Sequence, residues 1–161
     1  MRKVLILFFL VCFGLMAQEF DSANIGDYEK KCAENVANSC FNVGIAYFLG
    51  DGFTKNDAKA IEFLKKANKI EPKNPFYISA IAHVYYYNYK KTSKAALLGD
   101  AVKLFDAACK LKDAASCYEL GEMYNYEDDL LDYSKAASYY KQSCNLKSVD
   151  GCLKINSLKN K

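Results

Sequence analysis

The hydrophobic pattern along the chain has the period of an α-helix, broken at intervals by short polar or glycine-bearing turns. Val43, Gly44 and Tyr47 fall on one stripe after Cys40, and Ala60, Phe63, Leu64 and Ala67 fall on another between Asn56 and Asn68. Gly50 and Gly52 lie between them, so the stretch reads as helix, glycine turn, helix, the glycines supplying the positive φ that a helix C-cap favours. Gly44 is interior to its helix, where glycine costs about 1 kcal/mol relative to alanine, and close approach of a neighbouring helix accounts for it. Upstream, DSANIGDYEKK from Asp21 to Lys31 reads as a short helix capped by Asp21 or Ser22 and ending at Cys32. Downstream, Pro72 and Pro75 stop one helix and start the next, which runs from Phe76 to about Asn88. A loop around Lys90 to Thr92 leads into a helix from Ser93 to Leu111. The final helix spans Ser148 to about Leu158, with Lys154, Lys159 and Lys161 on its outer face.

These elements repeat. Aligning Tyr47, Tyr85 and Tyr124 puts Cys40, Ile78 and Cys117 at one position, and aligning Ala60, Ala101 and Ala136 puts Asn68, Cys109 and Cys144 at another. Steps of 38, 39 and 35 residues then join Cys40, Ile78, Cys117 and Cys152. A period in the thirties with two helices per unit predicts an all-α, superhelical solenoid of helical hairpins. About three repeats plus terminal half-units fill residues 18–161.

The cysteines follow the same register. Cys32 and Cys40, Cys109 and Cys117, and Cys144 and Cys152 each have seven residues between them. A tight turn centred near Val36, Asp113 or Ser148 places the partners face to face across antiparallel helices, within the Cα separation of roughly 4.4–6.8 Å that a disulfide needs. The repeated local spacing selects this pairing from the many that six cysteines allow. Zinc pairs usually sit two to four residues apart and catalytic dithiols favour C-x-x-C, and neither spacing occurs here. In the middle unit Asn68 and Ile78 replace both partners together, which leaves no orphan thiol.

Composition narrows the setting. The 161 residues are 52% hydrophobic and 25% charged, as in one globular domain. Arg2 and Lys3, the apolar run Val4 to Met16 and the small exit residue Ala17 have the form of a secretory signal over residues 1–17. That run is shorter than the roughly 20 residues of a spanning helix, so the membrane enters only through the signal before its cleavage. Cys12 follows Val11 rather than a lipobox-like small residue and is lost with the signal, leaving six cysteines in pairs. An even count in an exported chain fits the periplasm or the extracellular space, where bridges persist. Without Arg2 and Lys3, 20 basic residues face 19 acidic ones, which gives no electrostatic case for nucleic acid.

The segment Leu120-Gly121-Glu122-Met123-Tyr124, followed by Asp132-Tyr133-Ser134-Lys135-Ala136-Ala137-Ser138-Tyr139-Tyr140 and Cys144, resembles the Sel1-like repeat. The seven-residue cysteine interval resembles its exported, disulfide-bridged branch, the Helicobacter cysteine-rich protein family. The middle unit departs from the pattern at Asn68 and Ile78, and IEPKNP is similar to a tetratricopeptide junction. The resemblance implies a right-handed superhelix with a concave inner surface and an interaction role. It also implies, for some members, penicillin binding or weak β-lactamase activity, with β-lactams or cell-wall fragments as ligands.

Candidate chemistry is sparse. Ser138-Tyr139-Tyr140-Lys141 fits S-x-x-K, while Tyr86-Tyr87-Asn88 and Lys91-Thr92-Ser93 approximate the other lactamase motifs in reversed order. About one S-x-x-K match is expected by chance in a chain this rich in lysine, so no catalytic residue is assigned. His83 is the only histidine and has no second imidazole with which to build a metal site; neither metal nor cofactor is assigned. The run Tyr85, Tyr86, Tyr87, Tyr89 cannot all point inward at 100° per residue. Tyr86 and Tyr87 are therefore taken with Asn42, His83, Glu119 and Glu122 as an inner groove for a protein or peptide partner, against the plainer alternative of packing between repeats. The acidic stretch Glu127-Asp128-Asp129 with Asp132 reads as a solvated loop, since it lacks a calcium-loop pattern.

Overall fold

The computed structural model describes residues 24–159, all of it helix and short connection. The signal sequence read over residues 1–17, Cys12, the caps at Asp21 and Ser22, and Lys161 lie outside the described residues. Eight described helices follow one another: α1 (Ile25–Ala33), α2 (Ala37–Leu49), α3 (Asp57–Ile70), α4 (Pro75–Thr92), α5 (Ala95–Lys110), α6 (Ala114–Tyr126), α7 (Tyr133–Asn145) and α8 (Val149–Lys159). Each packs mainly on its neighbours in sequence. The even-numbered helices also touch one another through Phe41 on Tyr77, Phe48 on Tyr87 and Lys154 on Glu122, so they form one layer of the stack. None of the described helices is long and apolar enough to cross a membrane.

Three of the connections are copies of a single turn. Asn35, Lys112 and Lys147, each three residues beyond a cysteine, adopt the left-handed conformation with φ of 62°, 71° and 71°. In each, the left-handed residue donates its N–H to the carbonyl of Cys32, Cys109 or Cys144. The next residue donates to the carbonyl five positions back, Lys31, Ala108 or Ser143. This is the Schellman arrangement, and it satisfies carbonyls that a helix end leaves open. Val36 and Asp113, which close two of the turns, also serve as N-caps of the following helices, and the Asp113 carboxylate accepts from the Ser116 N–H. The turn reverses the chain within four residues and brings the flanking cysteines together. Disulfides join Cys32 to Cys40, Cys109 to Cys117 and Cys144 to Cys152, with Cα separations of 4.6, 4.8 and 4.5 Å.

The connection from α3 to α4 is different. Asn68 and Ile78 stand where the other hairpins have their bridge, Ile78 is buried, and Glu71-Pro72-Lys73-Asn74 makes the turn longer. Asn74 caps α4 through the Phe76 N–H and donates its amide to Glu71, with Pro75 at the start of the helix where a missing N–H is harmless.

The hairpins α2/α3 and α6/α7 superpose in detail. Asn56 and Asp132 each cap the second helix by accepting from the N–H three residues on, and each donates its own N–H to Tyr47 or Tyr124 of the first helix. Lys59 and Lys135 lie over those tyrosine rings, at 4.9 and 5.1 Å, and Phe63 and Tyr139 stack on them. Glycine occupies the contact on the first helix. A Cβ at Gly44 would lie 2.8 Å from Leu64, and one at Gly121 would lie 2.5 Å from the ring of the fully buried Tyr140.

The core is distributed along the stack. One buried cluster gathers Cys32, Cys40, Ala67 and Tyr77, a second Val43, Leu64, Ile81 and Val84, and a third Phe105, Cys117, Leu120 and Met123. Each lies between adjoining hairpins, as expected where every unit buries its face against its neighbour.

Two sequence-based expectations are corrected. The helix expected to stop near Asn88 runs on to Thr92 and ends at Ser93, φ 53°, because Tyr89 is buried in the third cluster and Lys90 reaches an acidic partner, Glu127. Lys154, expected on the outer face of the last helix, turns back to Glu122 at 2.9 Å and covers the Tyr126 ring.

The Gly121 contact predicts that Gly121→Ala lowers the unfolding free energy by about 1–3 kcal/mol through overpacking. Gly99→Ala, in α5 with nothing within 4 Å of the new methyl, raises it by about 0.5–1 kcal/mol. Urea titration of both variants checks the pair, and equal effects would refute the packing account. Cys144 and Cys152 are half-buried whereas the other four cysteines are buried, so mild thiol reduction followed by alkylation and peptide mapping should label that pair first. Earlier labelling of Cys32 or Cys109 would contradict it.

Candidate functional site

The first helices of the repeats, α2, α4 and α6, carry the residues singled out from sequence, and the structure separates them into distinct environments. Asn42 and Glu119 occupy the same register, two residues after Cys40 and Cys117. Asn42 is 8% exposed and its Nδ2 is buried without an acceptor among the described residues. His83 sets its ring edge-on to Phe105 of α5 at 4.8 Å, and burial pushes the imidazole down to about 4, so it is neutral at physiological pH. It is as much a packing residue as a groove residue.

Tyr86 and Tyr87 diverge. Tyr87 meets Phe48 edge-on at 5.1 Å, and its ring is flanked by Lys55 at 4.8 Å and Lys91 at 4.4 Å. Tyr86 points the other way along the stack and donates its hydroxyl to Glu127. Lys90 reaches both oxygens of the same carboxylate at 3.0 and 3.2 Å, and Tyr89 donates to Asp129 at 3.1 Å. Glu127 is buried. The acidic stretch expected as a solvated loop is therefore a clamp that fastens the α6/α7 connection to α4, with Asp132 used as the α7 cap. Burial and then the Glu127 hydrogen bond raise the Tyr86 hydroxyl well above its ordinary range, which keeps it a donor.

Glu122 is likewise satisfied. It accepts from the Tyr140 hydroxyl at 2.5 Å and pairs with Lys154 at 2.9 Å, linking α6, α7 and α8. Burial lowers the Lys154 pKa, but the hydrogen bonds to Glu122 and Tyr126 outweigh it and the net shift is upward.

Glu119 is the exception. It is half-buried and has no hydrogen-bond or ion-pair partner among the described residues. Burial, together with the negative fields of Glu122 and Asp113, pushes its carboxyl up to about 7. It lies close enough to Tyr86 and Tyr118 to perturb their hydroxyls, and burial holds Tyr118 at about 12. The sequence reading missed Glu127, Tyr89, Lys90, Lys154 and Tyr118. One signal for the clamp was present: its donors precede their acceptors by 37–41 residues, one repeat length. Ser138 and Lys141 are exposed on α7, and Ser138 makes no hydrogen bond among the described residues. No group of three described His, Cys, Asp or Glu side chains is placed to hold a metal.

A carboxyl raised in the folded state weakens folding where the unfolded chain is ionised and the native group resists ionising. The Glu119 penalty is absent below about pH 4, grows as pH rises toward the native value of about 7, and is complete above it. Glu119→Gln should thus match the parent in stability at pH 4 and exceed it at pH 8 by an amount of the order of 2 kcal/mol. Thermal unfolding at both pH values checks this, and a less stable variant at pH 8 would contradict it.

The Sel1 repeat family model matches residues 37–69 and 114–148, which cover α2/α3 to one residue short of its end and α6/α7 with the turn after it, the two hairpins that share capping, stacking and glycine contacts. The intervening hairpin, with its extended α4 and its two-residue connection at 93–94, is unmatched. No curated protein matches the chain. Among solved structures, a Sel1 repeat protein from Oxalobacter formigenes is similar over 84% of this chain and 54% of its own, at 20% identity and a TM-score of 0.68. The protein c5321, a protective antigen present in uropathogenic Escherichia coli strains displaying an SLR fold, is similar over 94% of this chain and 32% of its own, at 13% identity and a TM-score of 0.69. The chain thus spans about half of the first and a third of the second, and these identities bear on the fold alone. The chain thus carries two stretches that match the Sel1 repeat, within an all-helical stack of the same form as these structures.

Proposed function

We propose that this chain is an exported scaffold, of the disulfide-bridged kind that the Helicobacter cysteine-rich proteins represent, which binds a peptide or protein segment along its row of first helices. Three bridges at equivalent turns support the oxidising setting of the periplasm or the extracellular space, where such bonds persist. The charged and then apolar start of the sequence agrees with that route.

The observation that carries the binding reading is the first-helix layer. Its half-buried Glu119 has no hydrogen-bond or ion-pair partner among the described residues, and at its ends the layer exposes Leu49 and Tyr126 at 46% and 62%. A tyrosine with an exposed ring suits recognition because it buries area while keeping a polar tip. An interaction role is also what the Sel1 repeat implies. The β-lactam reading has no observation in its favour, because an exposed Ser138 without a hydrogen-bonded base is not an activated nucleophile.

Photo-crosslinking amino acids placed at Leu49, Tyr126 and Lys103 test the proposal in the intact envelope. Lys103 is exposed on α5, in the other layer. Discrete adducts are expected from Leu49 and Tyr126 and none from Lys103. Adducts from Lys103 alone, or equally from all three, would remove the first-helix layer as the binding surface.

A further inference from the structure

The three bridges occupy equivalent turns but not equivalent surroundings. Ala67 of α3 and Tyr77 of α4 pack in one buried cluster with Cys32 and Cys40, and Gln142 of α7 lies 3.8 Å from the Sγ of Cys109, whose partner Cys117 is fully buried. In both places a neighbouring hairpin covers the sulfur. Cys144 and Cys152 are only half-buried, and both line an open cleft of about 600 Å³ whose walls include Lys147, Val149 and Leu153. Val149 and Leu153 are 72% and 63% exposed and four residues apart, so the bridge is approached past two apolar side chains on one face of α8.

Position in the helices makes the two sulfurs unequal. Cys152 is the fourth residue of α8, where the positive end of the helix dipole favours a thiolate, and Cys144 is the last but one residue of α7, where the dipole opposes one. Lys147 lines the same cleft, while Asp150, the acid of that first turn, lines a second cleft with Tyr118 and Lys154. Thiol–disulfide exchange releases most readily the sulfur that best bears negative charge. An incoming thiolate therefore displaces Cys152.

We infer that this cleft is a reversible attachment site for a cysteine thiol of a partner chain, carried beside an apolar residue that packs on Val149 and Leu153. The partner's thiolate attacks Cys144 Sγ, the Cys144–Cys152 bond breaks with its electron pair leaving on Cys152, and a mixed disulfide forms at Cys144 with no net oxidation or reduction. Cys152 stays close, because α8 is still held by Lys154 on Glu122 at 2.9 Å and by the close approach of Gly151 to Ser143. Its thiolate attacks Cys144 in turn, restores the bridge and releases the partner. The two covered bridges take no part.

The test is reaction of the oxidised protein with two thiol probes, reduced glutathione and an acetylated leucine–cysteine–leucine amide, quenched with N-ethylmaleimide and read by peptide mapping. The expected product carries the probe on Cys144 and maleimide on Cys152. It forms at least about tenfold faster than any adduct on the buried cysteines and leaves the helical far-ultraviolet signal in place. Leu153→Ser, at a position exposed enough to spare the fold, should slow the leucine-bearing probe about threefold or more and leave glutathione unchanged. Probe chiefly on Cys152, adducts at Cys32 or Cys109 at a comparable rate, or no adduct until the helical signal is lost would each overturn the attachment site. Equal effects of Leu153→Ser on both probes, or none on either, would overturn recognition by the cleft.

Discussion

The left-handed turn between antiparallel helices is the constraint from which the rest of the architecture follows. A lysine or asparagine at positive φ costs about 1–2 kcal/mol relative to the right-handed form. That cost recurs at Asn35, Lys112 and Lys147. At all three the turn sets two cysteines within 4.8 Å of one another, Cα to Cα. Closing a nine-residue loop is worth roughly 2.5 kcal/mol in the chain-entropy model, so the bridge more than offsets the strained residue beside it. Turn and bridge form one device. Where the bridge is missing, between α3 and α4, the left-handed residue is missing too, and Pro72, Asn74 and Pro75 shape the reversal instead.

The bridged turns tie α1 to α2, α5 to α6 and α7 to α8, and the α2/α3 and α4/α5 hairpins must still be joined across the unbridged turn between α3 and α4. The apolar clusters between units are small, and polar ties supplement them. The Glu127 clamp fixes the α6/α7 connection to α4, and the chain Tyr140, Glu122, Lys154 fixes α8 to α6 and α7. Both ties cross between units, as the three bridges do. Stability in such a stack is a sum of unit terms and interface terms. The covalent bonds and the buried carboxylates with their tyrosine and lysine partners both add to the latter.

The period, the helix pairs and the cysteine pairing were legible because they depend on local spacing. A seven-residue gap around a turn means the same thing wherever it occurs, and the close approach at Gly44 follows from a glycine where helix propensity disfavours one. What could not be read depends on where a side chain points once units are stacked. Tyr86 and Tyr87 are adjacent in sequence yet serve opposite neighbours, Glu127 toward α4 and Phe48 of α2. Lys154 looked solvent-facing because its partner Glu122 lies one unit away. The acidic stretch at 127–129 looked solvated because local sequence does not show which hydroxyls meet it. The register of Asn42 and Glu119 was visible, but their lack of partners is a property of the packed molecule.

Placing the crosslinks at the turns has a physical consequence. A repeat protein that relied on apolar burial alone would have little tolerance for a desolvated, unpaired carboxylate, since its margin is only about 5–15 kcal/mol. Here the bridges lie at the turns and draw nothing from the exposed faces of the first helices. The stability they contribute is independent of what those faces carry. Residues two positions beyond Cys40, Ile78, Cys117 and Cys152 differ: asparagine in α2, buried alanine in α4, glutamate in α6 and lysine in α8. The first of these is left without an acceptor, the third without a cation, and the fourth is bound into the fold by Glu122. One register thereby supplies both an internal fastening and two unmet contacts. A framework held by sulfur tolerates such groups at less risk to its fold than a framework held only by its core.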